Sequence, residues 1–528
     1  MEQGKGTKEF APFGNPDGSR AALEEVLQGF VTFGGGARWG GLATKSDDLT
    51  ARVIVGRKGS GKTIYLRRLQ SFTSNQNSLY ADHIQQSLPT TESIIKFCHF
   101  FEENVLTEKW MLLWHRSILR STISHMLHSP RLAEKVDSKT EKTLVESFRP
   151  ILRESRTPLS IYSQVSEIIQ MCNTRHELTR FLENPLWSEL EWLVAEILRD
   201  CPPICFYIDA VDEEFAHAPM YWHQCQKGLF YQTMRLLRDA RLGGRLHIVI
   251  CIRDIVLSSV YRSEHRTRYK EEPHIRMLHW SKEAISHFLR EKINMLDDRF
   301  FVGNTKNGKD VTSWLGMKEI RNDVRGITEP LEEYLIRHTR LLPRDVVILG
   351  NALCQEVVNR DFIEEHEQFP DRIRSAVADA SRFVGDEQLI ICGNQITSEH
   401  APPGAALHGY SEVYTASQEY ARGIAEDLKD LVRRIGKDRF TLAELKDARE
   451  SAETKFGKDA DPFSVLWQNG LLGYVTQDEH ANKETFSFYS ATSLEDFTVP
   501  LDRQTYVFHS CLIDCAGITP SGKTPVGY

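Results

Sequence analysis

Apolar runs of strand length alternate along this chain with stretches of helical period, and their order predicts an α/β fold with a largely helical continuation. Val53-Ile54-Val55 is a β-branched run that leads into a glycine-rich turn and then into an amphipathic helix near Lys62. Ser78 to His83, Ile204 to Ile208 and Leu246 to Ile252 read as further strands of one parallel sheet. Between the second and third strands, from about 85 to 200, helical periodicity with Phe97, Phe100, Phe101, Trp110, Trp114, Trp187 and Trp192 predicts a helical insertion whose aromatics form its core.

The remainder divides by the same patterns. Residues 1–50 hold a short amphipathic helix from Ser19, with Leu23, Val26, Leu27 and Phe30 on one face, and a glycine-rich link. Residues 51–280 form the sheet domain. Ser281 caps a helix carrying Ile285, Phe288, Leu289 and Ile293, which opens a helical lid over 281–370. A linker is expected over 371–409. Over 410–515, a stripe of Ile424, Leu428, Leu431, Val432 and Ile435 marks one helix, and Thr441 with Glu444 forms a capping box for a second. A third spans Phe463 to Leu472, and strands in GYVTQ, TFSFYS and TYVFHSCLI follow; three helices and then a hairpin predict a winged helix. Residues 516–528 are expected to be a flexible tail.

The turn after the first strand changes the picture from fold to chemistry. Gly56-x-x-x-x-Gly61-Lys62-Thr63 lies between a strand and a helix, the setting of a phosphate-binding loop. Backbone N–H groups from Gly56, Gly59, Ser60, Gly61 and onward through Ile64 can turn toward phosphate oxygens. Lys62 supplies a point charge and the Thr63 hydroxyl a ligand for Mg²⁺. A second match, Gly517 to Thr524, is followed at once by Pro525, so no helix can start there to complete the site.

Asp209 ends the apolar run Ile204-Cys-Phe-Tyr-Ile208, the Walker B arrangement, and is the expected second metal ligand. Asp212 or Glu213 follows at an offset suited to positioning an attacking water. Arg253, at the tip of Leu246 to Ile252, is expected to reach the same sheet edge and sense a terminal phosphate. Pro343-Arg344 opens a lid helix, which makes Arg344 a candidate second sensor. Arg262, Arg266 and Arg268 are either fingers toward a neighbouring subunit or an exposed basic turn.

Composition narrows the class. The 528 residues suffice for roughly three to four domains. A net charge of -8 argues against a surface built to coat nucleic acid, and no run of eighteen apolar residues occurs, so no membrane span and a cytoplasmic location are expected. The Cys201/Cys205 and His509/Cys511/Cys515 groups lack paired zinc spacing and read as packed thiols. The third helix of the winged-helix region, PFSVLWQNGLL, and its wing loop, QDEHANKE, carry few cations. That region is therefore expected to dock on its own core or on a partner rather than on DNA.

These residues together resemble a P-loop ATPase of the STAND and AAA+ branch, the signal-transduction ATPases with numerous domains. The stretches Cys251-Ile-Arg253-Asp254-Ile255, His279-Trp280-Ser281 and Leu342-Pro343-Arg344-Asp345 further resemble a bacterial subgroup linked to defence against phage. The resemblance implies Mg²⁺ and ATP as cofactors, slow hydrolysis that drives a conformational or oligomerisation switch, a homo-oligomer, and a sensor or effector on a separate chain. Two other readings compete: a DNA-handling ATPase of the origin-recognition or transposition-regulator kind, and a scaffold that holds a nucleotide without hydrolysing it.

Overall fold

Strands rich in Val, Ile and Phe become the centre of a sheet only if both faces are covered, and this chain covers both. In the computed structural model, β1 (Val53–Val55), β2 (Tyr80–Gln85), β3 (Ile204–Ile208), β4 (Leu246–Ile252) and β5 (Ile275–Met277) form a five-stranded sheet in the order β2-β3-β4-β1-β5. Every pairing is parallel. The structure describes residues 10–18, 21, 24, 26, 52–74, 79–85, 91–152, 155–209, 222–242, 244–262, 266–269, 272–360, 369–399, 410–457, 460–478, 483–489 and 497–527. Strand alternation sorts the core: Val53, Val55, Phe206, Ile208, Ile250 and Ile252 pack toward the inserted helices. Ile54, Tyr207, Val249 and Cys251 pack on the opposite face, against Tyr65, Leu66 and Leu69 of the helix Lys62–Ser74.

Among the described residues, seven helices lie between β2 and β3. The longest, Glu103–His128, carries Trp110 and Trp114, both fully buried, and Trp187 is buried with them. Trp192 departs from the expected core: it is exposed and lies under the Arg241 guanidinium, 4.9 Å from its ring centroid.

A second core, centred on Trp314, Phe288 and Leu353, belongs to the region after the sheet. It contains the helices Lys282–Asn294, Val311–Leu315, Leu331–Ile336 and Pro343–Asn359, and an antiparallel hairpin of β6 (Glu319–Asn322) and β7 (Ile327–Pro330). The Ser281 hydroxyl caps the first of these helices by accepting from Ala284 N at 3.2 Å. All ten cysteines are free and buried. No helix among the described residues is long and apolar enough to cross a membrane.

Three expectations change. The supposed linker contains a helix of 31 residues, Phe369–Glu399. Its glycines are not breakers but points of close approach: a Cβ on Gly385 would fall 2.3 Å from Cys511 O, and one on Gly393 would fall 2.3 Å from Ala421 O. Next, the run TYVFHSCLI is not one strand. It divides into β11 (Thr505–Phe508) and the helix Ser510–Ala516, because the His509 side chain accepts from Cys511 N and so caps a helix start. Finally, the tail is anchored rather than loose: Ile518 and Val526 are buried at 8% and 2% exposure, with Ser521 to Thr524 exposed between them.

The rest of the C-terminal unit follows from its caps and turns. The helix Tyr410–Ile435 leads to β8 (Arg439–Thr441), then to the helix Leu442–Phe456, which opens with the Thr441/Glu444 capping box. The next helix, Pro462–Gln468, is shorter than expected because Gly470, at φ +69°, turns the chain into β9 (Leu472–Asp478). With β10 (Lys483–Phe488), these strands form an antiparallel sheet in the order β10-β9-β11-β8.

One buried ion pair fastens the tail. Arg325, in the turn between β6 and β7, donates to Asp438 Oδ2 at 2.7 Å and to the carbonyls of Ser521, Gly522 and Thr524. Ser521 donates both N–H and hydroxyl to Asp438 Oδ1. Burial opposes ionisation of Asp438, but the bonds from Ser521 and Arg325 outweigh it and hold its carboxyl below the usual range. Arg325→Ala is expected to cost about 3–5 kcal/mol, since it strands a buried carboxylate, and urea unfolding monitored on the C-terminal unit measures it. Because the folded carboxyl is the more acidic, its contribution is present above about pH 4 and is lost as pH falls through the folded value. The Arg325→Ala protein should show less of that acid dependence.

Candidate nucleotide site

In a parallel sheet the turns after every strand lie along one edge, and two such turns, after β1 and β3, bring residues to one cavity. After β1, the chain makes a tight loop whose shape depends on missing side chains. A Cβ on Gly56 would meet Ser60 Oγ at 2.4 Å, and Gly59 and Gly61 take φ of +89° and +91°. The loop is held from outside by Trp280, whose indole N–H donates to Ser60 O at 3.0 Å. Lys62 folds back over the loop and donates to the carbonyls of Gly56 and Arg57 at 2.9 and 3.0 Å. The helix Lys62–Ser74 starts directly behind, so its free N–H groups face the same space.

Asp209 follows β3. The order of the sheet places β4 between β1 and β3, so the carboxylate is not on the neighbouring strand. It nevertheless lines the same cavity as Lys62, Thr63 and Ile64, a space of about 380 Å³. Its backbone is fixed by the inserted helices: Tyr162 Oη donates to Asp209 O at 2.8 Å. Asp212 and Glu213 lie outside the described residues.

The helical region after the sheet contributes Arg344. Its position depends on an unusual turn, in which Leu341 takes φ of 53° although it bears a Cβ. Arg340 stabilises that turn through a buried two-pronged pair with Asp345, at 3.0 and 2.9 Å, and a third bond from its backbone N–H. Pro343 then occupies the first position of the helix Pro343–Asn359. As a result Arg344 N donates to Gly59 O at 3.3 Å, and any Cβ on Gly59 would sit 3.1 Å from Arg344 Cβ. The guanidinium pairs with Glu387 at 2.9 Å, while its Nε is buried without a hydrogen-bond partner among the described residues.

Two contributors carry no recognisable motif. The first is the segment Phe13 to Gly18, which crosses the cavity mouth. Asn351 grips it twice, accepting from Phe13 N at 2.9 Å and donating to Gly14 O at 3.0 Å. The Phe13 ring fills the space left by Gly350, where a Cβ would come within 2.3 Å of it. Arg67 donates to the carbonyls of Gly18 and Ala21, both at 2.6 Å. The second is Lys292 of the helix Lys282–Asn294, whose ammonium burial pushes below its ordinary value and which also lines the cavity. Nothing in FAPFGNPDG marks a site; only the turn residues Pro and Gly hint at a chain that must bend.

Arg253 is placed differently from the expectation. It is buried, its guanidinium lies 5.1 Å from the Trp222 ring centroid, and it is not among the residues lining the cavity. Stacking on an aromatic face draws the side chain away from the phosphate loop although its backbone reaches the correct edge. Arg262 lies over Phe497 and Arg268 over Tyr269; the side chain of Arg266 is outside the described residues.

The donor set suits a nucleoside triphosphate with a divalent cation. The glycine cradle and the charges of Lys62, Lys292 and Arg344 suit phosphates, while Thr63 and Asp209 offer oxygen ligands for a hard cation. Phe13, Val26, Phe288 and Val347 form an apolar end where a base can lie. The chain holds one T-K-x-D tetrapeptide, Thr44 to Asp47, outside the described residues, so motif reading does not decide between adenine and guanine. Comparison with protein-family models and with curated proteins gave no match.

Because Gly59 combines a positive φ with direct contact to Arg344, Gly59→Ala is expected to cost about 1–3 kcal/mol and to loosen the helix Pro343–Asn359. Urea unfolding together with hydrogen exchange across 343–359 would measure both effects. An unchanged midpoint and unchanged protection would show that the loop does not depend on this glycine.

Proposed function

We propose that this chain is a regulatory ATPase in which a magnesium nucleotide binds between the parallel sheet and the lid and sets the position of the C-terminal unit. The observation that carries this reading is the meeting of Lys62, Thr63, Asp209 and Arg344, from three separate parts of the chain, on one cavity. A magnesium ion held here would supply positive charge to offset the charge that develops on the terminal phosphoryl group. Thr63 and Asp209 would hold that ion, Lys62 would leave the loop carbonyls for the phosphate oxygens, and Asp212 or Glu213 would orient the attacking water.

The switch half of the reading has its own support. Arg57, inside the phosphate loop, points away from the cavity toward the C-terminal unit. It donates to the Tyr489 carbonyl, lies 4.7 Å from the Tyr489 ring centroid, and comes within 3.7 Å of Asp254. Gly470 is bare beside it: a Cβ there would fall 2.7 Å from Arg57 Nη1. A neutral His509, its proton value pushed down to about 3 by burial, adds a second tie through Nε2 to Thr339 O at 3.1 Å. We read the C-terminal unit as a winged helix docked on its own core, so a change in loop geometry on hydrolysis acts directly on the docking contacts. Homo-oligomerisation, a separate effector or sensor chain, and a role in bacterial defence extend this reading from the family resemblance.

Phosphate release and nucleotide binding test the proposal with ATP and GTP side by side. Lys62→Ala should weaken nucleotide binding at least about tenfold, and Asp209→Asn should slow phosphate release by about 100-fold. Glu213→Gln and Asp212→Asn, assayed together, identify the water-positioning carboxylate. Tight binding with no phosphate release in the parent protein would favour the non-hydrolysing scaffold instead. Arg57→Ala should leave nucleotide binding within about twofold and free the C-terminal unit, seen as faster proteolysis between 400 and 410.

A further inference from the structure

The inserted helices enclose a second cavity, of about 400 Å³, remote from the phosphate loop and lined from the helices Glu103–His128, Ser138–Ser147 and Ile161–Met171. Its floor is built, not accidental. Arg120 and Gln164 are each 2% exposed, and Arg120 is fixed by a 2.6 Å bond to Glu167. Gln164 Oε1 is buried and accepts no hydrogen bond among the described residues, which costs about 1–3 kcal/mol unless a donor enters the cavity. The walls are aliphatic, from Ile123, Leu127, Leu144 and Leu152. Among the described residues the rim carries Arg149 and Arg156, both exposed, against one carboxylate, Glu141, with His128 beside them.

We infer that this cavity binds a small organic anion with a flat apolar body and an N–H or O–H donor. The rim arginines take the anionic group, the aliphatic walls take the body, and Gln164 takes the donor. Arg120 contributes little net charge, since Glu167 neutralises it; its role is to hold the helix Ile161–Met171 in place.

That same helix joins the cavity to the nucleotide site. Tyr162, two residues before Gln164, makes the hydrogen bond to the Asp209 carbonyl. A ligand that pulls on Gln164 therefore shifts the backbone that presents the Asp209 carboxylate. This coupling rests on the nucleotide reading above, whereas the existence of the site does not.

Indole-3-acetate has the required anion, flat body and N–H, and two analogues remove one feature each: indole-3-acetamide the charge, 1-methylindole-3-acetate the donor. Calorimetry with the full chain should show one indole-3-acetate bound per chain, with each analogue weaker by about fivefold. The double substitution Arg149→Ala/Arg156→Ala, at exposed positions that leave the fold intact, should weaken indole-3-acetate about tenfold. Gln164→Leu, which removes an unsatisfied acceptor, should make indole-3-acetate and its N-methyl analogue bind alike. Lys62→Ala should bind the probe as the parent does. No uptake of indole-3-acetate, or equal binding by the double arginine variant, would overturn the site. For the coupling, saturating indole-3-acetate should change nucleotide affinity at least about threefold, and Tyr162→Phe should abolish that change while still binding the probe. Probe binding with nucleotide affinity unmoved would overturn the coupling and leave the site standing.

Discussion

One glycine-rich loop meets three separate regions of this chain. Trp280 bonds to Ser60 O, Arg344 bonds to Gly59 O, and Arg57 reaches from the loop to Tyr489. At Gly59 such close approach is possible only because a side chain is missing, and that absence makes room for the start of the helix bearing Arg344. The loop is thus a common bearing surface. A ligand that alters its geometry alters three interfaces together, without any need for a long relay.

Holding those interfaces in register requires rigid local devices rather than large areas. The Arg340–Asp345 pair keeps Leu341 in a left-handed turn, and that turn aims the helix bearing Arg344 at the loop. Arg325 and Asp438 do similar work at the far end, where they tie the β6–β7 turn to the C-terminal unit and its tail. In both places a buried charge pair is satisfied by extra backbone bonds, the condition under which burying charge is tolerable. These pairs specify geometry more than they add stability.

Much of the sheet domain was legible in advance because its signals are local. The phosphate loop, the carboxylate after Ile208 and the insertion between β2 and β3 each announce themselves through short-range pattern. Arg253 shows the limit of that approach: its place at a strand tip was readable, but its preference for Trp222 depends on a residue 31 positions away. The helix Phe369–Glu399 shows another. Gly385 and Gly393 look like interruptions until their neighbours, Cys511 and Ala421, are known. The segment Phe13 to Gly18 carried no signal beyond its turn residues, because it is gripped by Asn351 and Arg67 from elsewhere in the chain.

The amino-acid sequence by itself determined the presence of a glycine-rich turn of phosphate-loop pattern, the carboxylate that ends the run Ile204 to Ile208, and the helical and strand character of most segments. These are properties of neighbouring residues and their periodicity. Tertiary structure alone decided that β4 lies between β1 and β3, that Asp209 still shares a cavity with Thr63, and that Arg344 closes it while Arg253 does not. It also decided that the C-terminal residues fold back onto Arg325. The division has a physical cause: strand order, close approach between backbones and the competition of partners for a guanidinium are settled by contacts between distant segments, and no local pattern encodes which contact wins.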